Sequence, residues 1–155
     1  MHVSNYYLMD NKIRSKTRLA AIQLVSQHLI NNQDIELIKS DFDKYYLNTV
    51  IDENFDKIKY NVNFLSKLIS FFKTINFKNI SEEINKLIKF DRKFEKWDTI
   101  NQAIILIAIS ELRNCEEKKI KIILNDYIEV SKFFVSLKET KLINFILDKL
   151  IYVQK

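Results

Sequence analysis

"NDYIEVSKFFVSLKETKLINFILDKL", residues 125–150, decides how the chain folds. In its second half Leu142, Ile143, Ile146, Leu147 and Leu150 recur three and four apart, a spacing that gathers them on one face of a helix. Opposite them Lys141, Asn144 and Asp148 make a polar stripe, as Asn125, Glu129 and Lys132 do in the first half. Each stripe reads as the water-facing side of an amphipathic helix, although asparagine is a mediocre helix former in an interior. Between the halves, Ser136 and Glu139 in "SLKE" have capping-box spacing, so a helix is expected to start there and run to about Tyr152.

The same period runs through most of the chain. A first helix is expected over about 14–30, with Ala21, Leu24, Val25, His28 and Leu29 on one face and Lys12, Lys16, Gln23 and Gln27 opposite. "NNQD" at 31–34 breaks it, Asn and Asp serving as turn formers. A second helix is expected over about 35–48. A third, over about 53–74, carries the stripe Phe55, Ile58, Val62, Leu65, Ile69 and Phe72. "NFKNISEE" marks a boundary after which Ser81 or Asn79 caps a short helix over about 81–89. Asp98 caps a fifth over about 99–113, whose run "AIILIAI" is apolar nearly all round and so forms the buried centre of the C-terminal half. A sixth spans about 120–134. The expectation is an all-α protein of about seven helices in two packed subdomains, 12–76 and 77–152, within one compact domain.

Composition narrows the function. The chain is 47% hydrophobic and 29% charged, as globular proteins are. It has no glycine and no proline, which excludes phosphate-cradling glycine loops and dinucleotide fingerprints and disfavours tight hairpin turns. The accompanying wealth of Ile, Lys and Asn points to a codon bias, so part of the composition reports the genome. Cys115 is alone, which fits a reducing compartment. The N-terminus lacks the apolar core of a signal peptide, and "AIILIAI" is far short of the ~20 residues that span a bilayer. A soluble cytoplasmic protein is expected.

Chemistry has few places to reside. His2, His28 and Cys115 are far apart and have no ligand-spaced neighbours, so no metal site is expected. No pair of carboxylates shows a setting that would separate their pKa values, and no catalytic residue is assigned. The net charge is +5, and between Asp10 and Asp34 no acid occurs while Lys12, Arg14, Lys16 and Arg18 do. Those four cations can contact successive phosphates and make binding salt-dependent. A solvated helix start is the plainer reading, but basic residues at a helix N-terminus oppose the macrodipole, which favours acids there.

Residues 125–150 also resemble the C-terminal signature of the NusB transcription antitermination factors, roughly N-E-A-I-E-L-A-K-x-F-G-x-x-x-x-x-K-F-V-N-G-V-L-D-K. The match is ungapped and keeps Asn125, Ile128, Glu129, Lys132, Phe134, Lys141, Asn144, Leu147, Asp148 and Lys149. "AIILIAISEL" at 103–112 is similar to that family's A-I-L-R-I-A-x-x-E-L helix, and "RSKTRLAAIQLV" to its arginine-rich start. Departures are Val135 and Phe145 where the family usually has glycine, Leu106 for a frequent arginine, Leu142 for a common phenylalanine and Lys138 for a common acid.

The resemblance implies an all-α protein without catalytic activity or cofactor. It further implies binding of boxA-type RNA as a heterodimer with the small-subunit ribosomal protein NusE, within an RNA polymerase antitermination complex. Lys12, Arg14, Lys16 and Arg18 are then expected to hold RNA phosphates, with Lys138 and Lys141 adding cations on the last helix, and Asn101 is the candidate for contact with the ribosomal partner. Two other readings remain open. One is a stand-alone NusB-like domain of the kind that precedes a methyltransferase in RNA cytosine methylating enzymes; the other is a structural helical protein that homodimerises.

Overall fold

The apolar run expected at the centre forms a helix, Thr99–Leu112, in which every residue from Gln102 to Leu112 is buried. In this computed structural model residues 2–48, 60–89 and 91–153 are described, with side chains over 12–45, 60–89 and 91–152. The α-helices are α1 (His2–Asn31), α2 (Ile35–Asn48), α3 (Val62–Phe72), α4 (Phe77–Leu87), α5 (Thr99–Leu112), α6 (Ile120–Ser131) and α7 (Leu137–Val153). Single 3-10 turns at Phe94–Lys96 and Glu117–Lys119 introduce α5 and α6. No strand occurs among the described residues.

Helix ends show how a chain without glycine makes its turns. Asn32 stops α1 with φ 55, the left-handed conformation that glycine ordinarily takes, and its N–H donates to the His28 carbonyl at 2.9 Å. Asn61 opens α3 by accepting from the Phe64 N–H at 2.9 Å, and Asn76 opens α4 by accepting from the Asn79 N–H at 3.1 Å. The expected caps of α4, Asn79 and Ser81, therefore lie inside it. The helix begins earlier because Phe77 is itself part of the apolar face, its ring 5.7 Å from that of Phe94. Asp98 does occupy the N-cap of α5, yet its side chain makes no capping hydrogen bond. The third helix does not run unbroken over 53–74, because Tyr60 and the extended Asn61 precede its first turn; Phe55 and Ile58, expected on the same stripe, lie outside the described residues.

The largest difference from expectation concerns α5. It packs against α1 and α3 as well as α6 and α7, so it is the axle of the whole fold and not of the C-terminal half alone. One apolar cluster runs from Ala21 and Leu24 of α1, through Leu65 and Ile69 of α3 and Ala103 to Ile109 of α5, to Ile143, Ile146 and Leu150 of α7. Burying each Leu or Ile of that cluster contributes ~1.5–3 kcal/mol. A second tie between α1 and α3 is polar: Thr17 Oγ1 donates to the Ile13 carbonyl at 2.7 Å and accepts the Asn61 N–H at 2.9 Å.

Candidate nucleic-acid interface

At 100° per residue, Lys12 and Lys16 lie about 40° apart around α1, while Arg18 lies about 200° from Lys16. The consequence is visible in the burial. Lys12, Lys16, Gln23 and Gln27 form an exposed face, Arg14 is exposed on another side of α1, and Arg18 is only 6% exposed. The four cations of the leader are therefore not one phosphate-facing row.

Arg18 departs from the surface role expected of it. Its Nε and Nη2 donate to the Glu111 carboxylate at 2.9 and 2.8 Å, and its Nη1 donates to Asp126 Oδ2 at 2.6 Å. The guanidinium carbon sits 5.3 Å from the Phe64 ring centroid and 5.5 Å from that of Tyr127. Tyr127 donates to Glu111 Oε1 at 2.6 Å, and Ser15 donates to Asp126 Oδ1 at 2.6 Å. Burial works against the charge on Arg18, but hydrogen bonding to Glu111 and its charge outweigh burial and hold the guanidinium above its ordinary pKa. Burial, then the Glu111 charge, push the Tyr127 phenol well above its usual value. To reach this cation a phosphate must displace two carboxylates. Arg18 thus clasps α1 to α5 and α6.

The signal for that clasp was present but incomplete. Glu111 is an acid inside an otherwise apolar helix, and an acid there requires a buried partner. Nothing in the spacing tells which of the basic residues supplies it.

On α7, Lys138 and Lys141 are exposed, as are Asn144 and Asp148; on α6, Asn125 and Glu129 face water, and Lys132, just past its end, pairs with Glu129 at 2.8 Å. Asn101 is brought to the start of α7. Its Nδ2 donates to Glu139 Oε2 at 2.9 Å, and Ser136 Oγ accepts the Glu139 N–H at 3.2 Å while donating to Glu139 Oε1 at 3.0 Å. These bonds, Asn101 first and Ser136 second, hold the Glu139 carboxyl below its ordinary range. A carboxylate only accepts, so the amide nitrogen of Asn101 must face it and the oxygen must face away. That oxygen, Oδ1, is buried without a hydrogen-bond partner, and Asn101 lines a pocket of about 280 Å³ with Arg92, Trp97, Asp98, Glu139 and Leu142.

Among the described residues no group of three or more His, Cys, Asp or Glu gathers to hold a metal, and no helix is long and apolar enough to cross a membrane. His28 engages the Gln33 carbonyl through its Nδ1 at 2.5 Å and stands edge-on to Phe72, 5.8 Å between ring centroids.

The family model described as NusB family matches residues 15–152. Among proteins similar to this chain is the transcription antitermination protein NusB of Rickettsia felis, 28% identical over 151 residues, covering 92% of this chain and 95% of that protein. The protein of the same name from Blochmanniella floridana is 31% identical over 145 residues, with the same shares covered. That of Rickettsia typhi is 27% identical over 149 residues, again with 92% and 95% covered.

Proposed function

The chain belongs to the NusB family of transcription antitermination factors, and from that premise we propose that it binds boxA-type RNA together with the ribosomal protein NusE. In this reading it joins an RNA polymerase antitermination complex in the cytoplasm, supports transcription of ribosomal RNA operons, and acts by binding without catalysis. The observation that carries the reading is the family match over residues 15–152.

The surface charge supports it. Lys12, Arg14 and Lys16 present cations at the surface of α1, and Lys138 and Lys141 present them on α7. Contacts of this kind position a strand without reading its bases. The pocket at Asn101 suits the ribosomal partner: the apolar Leu142 and Trp97 that line it beside Asn101 take an aliphatic or aromatic side chain.

The test is fluorescence anisotropy with a boxA-type RNA, with and without the ribosomal partner, on wild type and on Lys12→Glu and Lys16→Glu. Tighter binding with the partner and weaker binding on charge reversal are expected. If the partner does not tighten binding and charge reversal changes nothing, the reading fails.

A further inference from the structure

Residues Lys138, Lys141, Phe145, Lys149 and Tyr152 of α7 follow one another at three- or four-residue steps, which confines them to about 80° of the helix circumference. All five are exposed, Phe145 by 48% and Tyr152 by 63%. The opposite face of α7, with Ile143, Ile146, Leu147 and Leu150, is buried in the core. The two rings therefore contribute little to holding the helix in place.

We propose that this outer stripe of α7 is a stacking platform for single-stranded RNA, on which Phe145 and Tyr152 each take a base and Lys138, Lys141 and Lys149 hold the phosphates. The inference rests on the RNA-binding reading above and adds a base-contacting surface to it. Three observations support it. First, the stripe combines cations and aromatics, with Lys149 between the two rings and Lys138 and Lys141 before them, the combination that binds single strands: the rings supply stacking and the ammonium groups neutralise the backbone. Second, the Lys149 ammonium stands 5.7 Å from the Phe145 ring centroid, so a base seated against that ring finds a cation beside it for its own phosphate. Third, seven residues separate the two rings, about 10 Å along the axis. Stacked bases rise only about 3.4 Å per step, so the rings take bases that are splayed apart, as loops and single strands present them and duplexes do not.

Charge selects this occupant over a second copy of the chain. The stripe carries three lysines and is bordered by one acid, Asp148, so two copies facing each other bring like charges together, whereas a polyanion is attracted.

The experiment measures binding of a boxA-type single strand, and of the same RNA paired into a duplex, by anisotropy in the presence of the ribosomal partner. The variants are Phe145→Ala, Phe145→Leu, Phe145→Trp and Tyr152→Ala. The expected result is a loss of about 5- to 100-fold on the single strand for either alanine variant, the effect of losing one stacked base. Phe145→Leu, which keeps an apolar side chain without a π-face, loses affinity likewise; Phe145→Trp keeps it; the duplex is indifferent throughout. Circular dichroism and thermal melting stay as in wild type. If both alanine variants bind the single strand normally while Lys12→Glu and Lys16→Glu do not, the stripe is overturned and the RNA-binding reading stands. If wild type binds no RNA, both fall. Weaker binding of the ribosomal partner without RNA, or a change in sedimenting mass, in the alanine variants makes the stripe a protein interface and overturns the proposal.

Discussion

Arg18 of α1 and Glu111 of α5, 93 residues apart in sequence, meet in the core through two parallel hydrogen bonds of 2.9 and 2.8 Å. Such a fork-to-fork pair holds its geometry because guanidinium and carboxylate are both planar. Removing Arg18 leaves Glu111 buried without its cation. Arg18→Ala is expected to destabilise by ~3–5 kcal/mol, read as a lower urea midpoint with unchanged slope. Arg18→Lys recovers little, because one ammonium cannot serve both Glu111 oxygens and Asp126. Removing the charges together with the phenol that faces them, as Arg18→Met with Glu111→Leu and Tyr127→Phe, costs less than Arg18→Ala alone. A stable Arg18→Ala protein with selectively weakened RNA binding would contradict the clasp.

Tyr127 closes the same network from the other side, and it gives stability an alkaline limit. Its phenol is held well above the ordinary tyrosine value, by burial first and by the Glu111 charge second. Folding thus favours the protonated phenol. That contribution is complete below the unfolded-chain pKa of about 10 and is lost as pH rises beyond it toward the folded value. Of the seven tyrosines, Tyr127 is expected to ionise only on unfolding, seen as an absorbance step near 295 nm that coincides with loss of helical circular dichroism. Tyr127→Phe removes that step and costs ~1–3 kcal/mol at neutral pH, since Glu111 loses a donor at 2.6 Å. An early step, with the helices intact, would show an open network.

Lys12 and Lys16 differ from Arg18 in what they risk. Both are exposed on α1, so their replacement leaves the core alone. Each of Lys12→Glu and Lys16→Glu is expected to weaken single-strand binding with a thermal midpoint within the scatter of wild type. The slope of log affinity against log salt falls by about 0.7 for each phosphate that is no longer neutralised. Weaker binding with an unaltered slope would mean that these lysines do not touch phosphate.

How much of this was legible in the sequence depends on what each feature needs. Periodicity suffices for the buried faces of α1 and α7, because a helix repeats locally: Ala21, Leu24 and Val25, and Ile143, Ile146 and Leu147, are buried as their spacing requires. The start of α2 at Ile35 is legible as well, since "NNQD" supplies the turn chemistry. Local pattern places the start of α4 too late, because what moves it to Phe77 is a tertiary contact with Phe94. Arg18 is the sharper case. Charge alone groups it with Lys12, Arg14 and Lys16, whereas its rotation around α1 and the acid inside α5 separate it. The Asn101–Glu139 bond joins residues 38 apart and has no sequence signal at all, although the capping box that holds Glu139 does. The α7 stripe was half visible: Lys138, Lys141 and Phe145 stood out in the sequence, whereas Tyr152 lay where the last helix was expected to end.

Glu139 gives the pocket end of α7 a pH signature of its own. Its carboxyl is held below the ordinary glutamate value by the Asn101 amide first and the Ser136 hydroxyl second. A carboxyl depressed by folding contributes stability above its unfolded pKa of about 4.3, and loses it as pH falls through the lower folded value. The exposed setting of the capping box keeps this contribution small. The titration of the Glu139 side-chain carboxyl carbon by NMR is therefore the sensitive measurement. Wild type is expected to titrate below the ordinary midpoint, and Asn101→Ala to move the midpoint up by more than Ser136→Ala does. Asn101→Asp moves it furthest, because it sets a second carboxylate where the amide N–H had been. The same variants separate pH from partner: Asn101→Ala cuts back a side chain that lines the pocket and is expected to weaken the ribosomal partner at neutral pH. If the midpoint is unmoved in Asn101→Ala, the 2.9 Å bond does not govern Glu139; if the midpoint moves while partner affinity does not, the pocket serves something other than the ribosomal protein.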